Sequence, residues 1–147
     1  MKLRIGQRTP TTPCENPDMT DDELLTAAHA VRDKAYCPYS HFKVGAALLD
    51  DKGRLHIGCN VENAAYSNVQ CAEAGAIGAM AAAGGQKIAT IAIVGGGESL
   101  RFCPPCGGCR QRILEFANDS TRIILQDEKG AASTFSIDQL LPTSFSM

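Results

Sequence analysis

Two short segments carry residues that together could bind a metal ion and activate water: Cys71-Ala72-Glu73 and Pro105-Cys106-Gly107-Gly108-Cys109. Cysteine thiolates are preferred zinc ligands, and three protein ligands leave tetrahedral zinc one open coordination position. Water in that position has a pKa of roughly 7, so it is a nucleophile near neutral pH. The carboxylate of Glu73 could then serve as the catalytic base without binding the metal. The segments therefore predict a hydrolytic site with one zinc ion per chain, held by Cys71, Cys106 and Cys109.

The spacing of the cysteines also allows a different interpretation. Cys103, Cys106 and Cys109 recur every three residues, as at the start of an iron–sulfur cluster motif. The fourth cysteine and the final proline of that motif are missing, so we expect Cys103 to lie near the site without binding metal. The non-enzymatic alternative is a structural zinc or iron–sulfur module that binds a partner, with Cys103 as its fourth sulfur.

Four blocks of the chain occur in the order found in cytidine deaminases: residues 41–47, 60–64, 71–73 and 105–111. A metal ligand-x-Glu followed by Pro-Cys-x-x-Cys is the signature of the zinc nucleobase deaminases, and four ordered blocks are hard to meet by chance. From about residue 20 to residue 145 the chain resembles the small, homotetrameric, zinc-dependent branch of the family. The resemblance implies hydrolytic deamination of cytidine and 2′-deoxycytidine to uridine and 2′-deoxyuridine in pyrimidine salvage, with release of ammonia.

The resemblance also implies contacts with a small nucleoside substrate. The backbone N–H of Ala72 would hold the pyrimidine carbonyl oxygen, Phe42 would pack on the pyrimidine, and Asn60 with Glu62 would bind the ribose 3′-hydroxyl. Chemistry supports the last pair independently. An amide and a carboxylate two residues apart at a strand end point to the same side, where they offer a donor and an acceptor to a hydroxyl group.

The C-terminal tail contains a large apolar residue, Phe145, two positions from the chain end. Tails usually fray, and an exposed phenylalanine there is hard to explain unless something anchors it. Residues 140–145 resemble the family segment whose phenylalanine enters the site of a neighbouring subunit. The resemblance therefore implies a homotetramer whose sites are completed by neighbouring subunits, with Phe145 as a substrate contact.

One position departs from the family pattern, because Ala74 stands where many homotetrameric members carry an arginine. One zinc ion and three thiolates sum to a net negative charge, which that arginine offsets. Here the offset must come from helix N-termini, from Arg110 or from incomplete ionisation of the ligands. Blasticidin-type deaminases, which act on a non-nucleoside aminopyrimidine, also lack the arginine and are the enzymatic alternative. Asn60 and Glu62 favour a nucleoside.

Composition limits the classes of partner. The 147 residues suit one domain, residues 20–147, after an N-terminal extension of residues 1–19 that we expect to be loose. The 14 basic and 16 acidic residues give a net charge of −2, without the basic stripe that nucleic-acid binding needs. No apolar run is long enough to span a membrane. Seven cysteines, an odd number, and no signal-peptide pattern predict a cytoplasmic protein.

Periodicity and turn residues predict the elements that position these segments. Thr20 and Glu23 form a capping box before a first helix that ends ahead of Pro38. The other predicted helices cover residues 73–83, entered from Cys71, and 111–117. Strands are predicted over residues 42–50, 54–61, 88–94, 122–125 and 134–137. The first two strands form a hairpin through residues 51–53.

The connection before the last strand, residues 127–130, is too short for a parallel crossover, so that strand should be antiparallel. The predicted fold class is α/β, a three-layer α/β/α arrangement like that of the cytidine deaminases, with helices on both faces of a mixed five-stranded sheet. The second helix is rich in glycine and alanine. This suits a helix lying flat on the sheet and equally one packing against its copies in an oligomer.

Overall fold

The computed structural model describes residues 18–147. Most of the predicted N-terminal extension, together with Cys14, lies outside the described residues. The elements, in chain order, are α1 Asp21–Arg32, β1 Lys43–Asp50, β2 Leu55–Cys59, a 3₁₀ turn Tyr66–Asn68, α2 Ala72–Ala82, β3 Ile88–Gly96, β4 Leu100–Arg101, α3 Gly107–Phe116, β5 Arg122–Gln126, β6 Ala132–Phe135 and α4 Ile137–Leu140. Within this part of the chain no helix is long and apolar enough to cross a membrane.

The strands form one mixed sheet in the order β2-β1-β3-β5-β6. β1 pairs antiparallel with β2 and β3, while β3 pairs parallel with β5. The last strand, β6, is antiparallel to β5, which confirms the prediction from the short connection. Within residues 18–147 the sheet has six strands rather than the predicted five, because the two-residue strand β4 pairs with the end of β3. Such a short strand depends on its partner and has no alternating pattern of its own.

Side chains of the central strands alternate between two apolar clusters, one on each face of the sheet. On one face Ile91, Ile93 and Leu125 pack with residues of α2, α3 and α4. On the other face Ala92 and Ile124 pack against α1. The sheet is therefore the middle layer of a three-layer α/β/α fold, as the sequence predicts.

Two glycines let helices lie directly on the strands. A Cβ atom on Gly45 of β1 would lie 2.1 Å from the carbonyl oxygen of Ala28 in α1. A Cβ atom on Gly58 of β2 would lie 2.3 Å from the carbonyl oxygen of Ala72, at the start of α2. The first turn of α2 is thus pressed onto the sheet, whereas Gly78 and Ala79 further along the helix are exposed.

The ends of the helices and of the last strand show which predicted boundaries are correct and which are displaced. The capping box of α1 is present, with the Glu23 N–H donating to Thr20 Oγ1 and the Thr20 N–H donating to Glu23 Oε2 at 2.8 Å. Helix α3 begins four residues earlier than predicted, at Gly107, because glycine is a poor helix former and hides the start. The last strand ends at Phe135 rather than at residue 137, where α4 has already begun.

Candidate metal centre and active site

The candidate metal ligands lie at the N-terminal ends of two helices. Cys71 is the N-cap residue of α2, and Cys106 is the N-cap residue of α3. Neither side chain caps its own helix by a hydrogen bond, and Cys109 follows in the first turn of α3. A helix N-terminus carries free N–H groups and a partial positive charge, both of which favour a thiolate. Because α2 and α3 pack on the same face of the sheet, all three thiols reach one point.

The three sulfur atoms have a spacing that fits one zinc ion. The Sγ atoms of Cys71, Cys106 and Cys109 all lie within 4.8 Å of one another, and those of Cys71 and Cys106 are 3.9 Å apart. Two sulfurs bound at about 2.3 Å to tetrahedral zinc would be separated by about 3.8 Å. Among the described residues the cluster does not include Cys103. Cys109 is buried and Cys106 is exposed, so the cluster is open on one side.

The electrostatics of the cluster oppose ionisation of all three thiols together. Burial raises the pKa of the Cys109 thiol well above its ordinary value, and the negative charges of Glu73 and the other cysteines raise it further. Burial also raises the pKa of Cys71. Burial opposes ionisation of Cys106 as well, but hydrogen bonds from Cys109 and Cys71 bring the pKa of Cys106 below its ordinary value. Three adjacent thiolates therefore form together only when a divalent cation offsets their charge.

Glu73 lies on the first turn of α2 and is only 4% exposed. Burial raises the pKa of this carboxyl above its ordinary value, and hydrogen bonds from its own backbone and from Cys109 oppose the shift. A buried carboxyl with a raised pKa, facing a cavity, is suited to taking up and releasing protons during a reaction.

A cavity of about 180 Å³ opens beside the sulfur cluster. Five predicted site residues line it, namely Asn60, Cys71, Ala72, Glu73 and Cys106, and the rest of its lining is Val44, Val69, Gln70, Cys103 and Pro104. Sequence reasoning missed the residues that line the cavity without carrying chemistry. Val69 and Gln70 could have been found from their position directly before a predicted metal ligand.

Asn60 and Glu62 lie in neighbouring cavities. The Asn60 amide accepts a hydrogen bond from the Val44 N–H at 2.7 Å and donates one to the Phe42 carbonyl oxygen at 2.8 Å, which joins β1 to the end of β2. Glu62 lines a second cavity of about 250 Å³. Val69 lines both cavities, so the two spaces adjoin.

The two aromatic residues predicted to contact substrate lie outside the sulfur cavity of their own chain. Phe42 is half-buried in a groove next to Ser40, and its Cε1 atom lies 3.2 Å from the position of a Cβ on Gly95. Cys103 Sγ lies 2.6 Å from that same position. Phe42 therefore lies beside Cys103, which lines the sulfur cavity. Phe145 is 72% exposed beside α3.

Arg110, the arginine next to a predicted ligand, has its guanidinium bound to backbone carbonyls. Nε donates to the Pro105 oxygen at 2.8 Å, and Nη1 donates to the Leu140 oxygen at 2.5 Å. These bonds tie the loop that carries Cys106 to the C-terminal helix α4. The position of the guanidinium indicates that Arg110 braces the ligand loop.

Comparison with known proteins agrees with this geometry. Residues 18–125 match the family model of the cytidine and deoxycytidylate deaminase zinc-binding region. Cytidine deaminase from Sporosarcina psychrophila is 40% identical over 128 residues, which cover 87% of this chain and 93% of that protein. The crystal structure of cytidine deaminase from Burkholderia pseudomallei superposes with a TM-score of 0.79 at 43% identity, covering 86% of this chain and all of that one. The Mycobacterium tuberculosis enzyme superposes with a TM-score of 0.76 at 36% identity, covering 88% and 100%.

Proposed function

The chain belongs to the family of cytidine and deoxycytidylate deaminases, and we propose that it hydrolyses cytidine and 2′-deoxycytidine to uridine and 2′-deoxyuridine, releasing ammonia. The observation that carries this proposal is the position of Glu73. Its buried carboxyl lines the same cavity as Cys71 and Cys106, two of the three clustered thiols. This arrangement combines a metal site with a proton-transfer group, as hydrolysis at an aromatic amine requires.

The metal would be one zinc ion per chain, held by Cys71, Cys106 and Cys109. When bound, zinc would lower the pKa of a water molecule to roughly 7 and so supply a nucleophile at neutral pH. The N-termini of α2 and α3 point at the cluster and favour the thiolate form of the ligands.

Glu73 would move two protons in sequence. As base it accepts a proton from the attacking water and passes it to ring nitrogen 3 of the pyrimidine, which makes carbon 4 more electrophilic. Once the water oxygen has bonded to carbon 4, Glu73 takes the remaining proton of that hydroxyl group and, as acid, delivers it to the exocyclic amino group. The bond between carbon 4 and nitrogen then breaks, ammonia leaves and the carbonyl group of uridine forms. The burial of Glu73 supports this role, because it raises the pKa of the carboxyl above its ordinary value and so favours uptake of a proton from water.

The substrate would extend from the sulfur cavity into the adjoining cavity that contains Glu62. The Ala72 N–H at the start of α2 would hold the pyrimidine carbonyl oxygen, and Asn60 with Glu62 would bind the 3′-hydroxyl. Phe42 would pack near the pyrimidine at the side of Cys103. The shared wall at Val69 supports this path, since it leaves the two cavities next to each other.

We also propose a homotetramer in which Phe145 enters the site of a neighbouring subunit. The exposure of Phe145 and its absence from the lining of the sulfur cavity of its own chain support this role. The domain would span residues 20–147, with residues 1–19 as an extension. Pyrimidine salvage in the cytoplasm is the corresponding biological role, and the odd number of cysteines supports a reducing compartment.

One experiment tests reaction and metal together. Purified protein is incubated with cytidine while the loss of cytosine absorbance, the release of ammonia and the zinc content are measured. We expect equimolar uridine and ammonia from a protein that contains one zinc per chain. Parallel assays with 2′-deoxycytidine, free cytosine and blasticidin identify the substrate class. Turnover of blasticidin alone would overturn the nucleoside assignment, and bound zinc without turnover of any substrate would favour a structural metal module.

A further inference from the structure

The zinc-bound sulfur cluster would carry a net negative charge that the adjacent residues Ala74 and Arg110 do not neutralise. Three thiolates and one divalent cation carry a net negative charge, and ionised Glu73 beside them adds another. A net charge in a partly buried site is costly unless a positive group lies nearby. Ala74, which follows Glu73 on α2, has no charge, and Arg110 binds the carbonyl oxygens of Pro105 and Leu140.

A second arginine on α3 folds back over the turn that carries two of the cysteines. Arg112 Nη1 lies 3.0 Å from the position that a Cβ atom on Gly108 would occupy. Gly108 lies between Cys106 and Cys109, and Arg112 follows it by four residues, one helical turn later. Helical side chains lean towards the N-terminus, so a residue four positions on covers the preceding turn. The missing side chain of Gly108 leaves room for the guanidinium.

The folded-back position places the Arg112 guanidinium near the N-terminal turn of α3, where two opposing electrostatic effects act on it. The N-terminus of a helix carries a partial positive charge, which repels a guanidinium group. The thiolates of Cys106 and Cys109 supply negative charge at this N-terminus.

We propose that Arg112 supplies the positive charge that stabilises the three-thiolate zinc site, and that Gly108 gives its guanidinium the space to do so. Arg112 is a positioning residue in this role, since it acts through the ligands rather than on the substrate. The inference rests on the proposed zinc site and adds to it a residue outside the ligand motifs.

The test compares zinc release from Arg112→Gln, Arg112→Lys and the parent chain to an excess of chelator that changes colour on binding zinc. Lys129→Gln is the matched control, because Lys129 is exposed in the β5–β6 turn and its loss changes the net charge equally. Groups that support metal ligands typically contribute about 10- to 100-fold in affinity. Arg112 is exposed and therefore screened, so we expect about 10-fold faster release from Arg112→Gln at low salt.

A charge effect has two further signatures that a packing effect lacks. The difference between Arg112→Gln and the parent should shrink markedly at about 1 M salt, where the screening length is about 3 Å. Arg112→Lys should release zinc at a rate near that of the parent. A zinc-loaded parent whose release rate equals that of Arg112→Gln at low salt overturns this inference alone, as does an equal acceleration in Lys129→Gln. A purified parent that binds no zinc overturns the proposed zinc site as well.

Discussion

The backbone N–H of Tyr39 donates a hydrogen bond of 2.9 Å to the carboxylate of Glu62. Ser40 adds two more donors, its N–H at 3.2 Å and its hydroxyl group. An ionised carboxylate has about four acceptor positions, so three are occupied and about one remains. Tyr39 and Ser40, in the turn of residues 38–40, therefore fix the orientation of Glu62. The carboxylate can still accept one further hydrogen bond, which is what a single substrate hydroxyl would require.

Replacing the proposed ribose contacts should reduce activity on normal nucleosides selectively. Glu62→Ala removes a charged acceptor worth about 1.5–3 kcal/mol, so we expect kcat/KM for cytidine to fall about 10- to 100-fold. On 3′-deoxycytidine, which lacks the hydroxyl group, the loss should be much smaller. Steady-state kinetics with both substrates measure the difference, and Glu128→Ala in the β5–β6 turn is the control. Equal losses on both substrates would remove Glu62 from ribose recognition.

Asn60→Ala should show the same substrate selectivity but also reduce stability. Its amide makes hydrogen bonds to Val44 in β1 and to Phe42 just before that strand, so its loss leaves a backbone N–H and a carbonyl without their partner. We expect the free energy of unfolding to fall by about 1–3 kcal/mol, measured by urea denaturation. A variant as stable as the parent would show that these bonds are replaced by water.

The proposed metal ligands should separate cleanly from the fourth nearby cysteine. Cys71→Ala, Cys106→Ala and Cys109→Ala each remove one of the three clustered sulfurs and should lose zinc, as measured by elemental analysis after gel filtration. Cys103→Ser should keep one zinc per chain, because Cys103 lies outside the cluster and burial raises the pKa of its thiol to about 11. Loss of metal from Cys103→Ser, or iron in place of zinc, would support the structural-module alternative.

Glu73→Gln should leave the metal and the fold intact while removing the proton shuttle. The amide has nearly the same shape as the buried carboxyl, so zinc content and thermal unfolding should match the parent. Turnover of cytidine should fall by about 10²- to 10⁴-fold, the usual contribution of general acid–base catalysis. Near-normal turnover by zinc-loaded Glu73→Gln would exclude Glu73 from the mechanism.

Much of the fold could be predicted because its signals are local. The capping box of Thr20 and Glu23, the β1–β2 hairpin and the antiparallel last strand each depend on a few neighbouring residues. Helix α4 also has a local signal, a capping box between Ser136 and Gln139, although the sequence pattern predicts a strand up to residue 137. Strand β4 has none, because it exists only through pairing with the end of β3.

The candidate site likewise has features that the sequence predicts and features that depend on the folded structure. The metal motifs predict the sulfur cluster, and Cys71, Cys106 and Cys109 each lie at or near a helix start, although the glycines hide the start of α3 in the sequence. The placement of Asn60 and Glu62 in two different cavities could not be predicted. It depends on tertiary hydrogen bonds, in which the Val44 N–H donates to Asn60 and the Tyr39 N–H donates to Glu62. The direction of the Arg112 guanidinium is likewise set by the space above Gly108.

A buried ionic cluster at the turn of the β1–β2 hairpin should control stability at acid pH. The Asp50 side chain is fully buried, and its Oδ2 accepts hydrogen bonds from Arg54 Nε at 2.7 Å and His56 Nε2 at 3.1 Å. Its Oδ1 accepts from the backbone N–H groups of Lys52 and Arg54. Burial by itself raises the pKa of Asp50, but these hydrogen bonds outweigh it and hold the pKa below its ordinary value of 3.8.

Because the pKa of Asp50 is lower in the folded chain than in the unfolded chain, its stabilisation is present above about pH 4 and is lost as the pH falls below 3.8. Asp50→Asn leaves Arg54 without its buried partner and should cost about 3–5 kcal/mol near pH 7. The cost should shrink as the pH falls below 3.8. Urea denaturation across this range measures both effects, with exposed Asp119→Asn as the control. A loss of stability that does not change with pH would exclude the Asp50 charge as its cause.

The C-terminal tail offers the sharpest test of shared sites. Phe145 is held by its backbone, since Gln111 Nε2 donates to its carbonyl oxygen at 3.0 Å, while its side chain is 72% exposed. An anchored backbone with a free aromatic ring suits a ring that contacts another subunit. Deleting residues 144–147 should therefore lower activity and weaken the oligomer, whereas deleting residues 146 and 147 should change neither. Phe145→Ala should reproduce the loss of activity, because the ring rather than the tail backbone would reach the neighbouring site. Sedimentation velocity and cytidine turnover on the same samples measure both quantities.

Mixing the Phe145→Ala variant with the Glu73→Gln variant extends the test of shared sites. If each site takes its phenylalanine from a neighbour, mixed oligomers contain some sites with both Glu73 and Phe145, so activity should rise above that of either variant. A Phe145→Ala chain that is fully active, or one that sediments as an active monomer, would show that each subunit works alone.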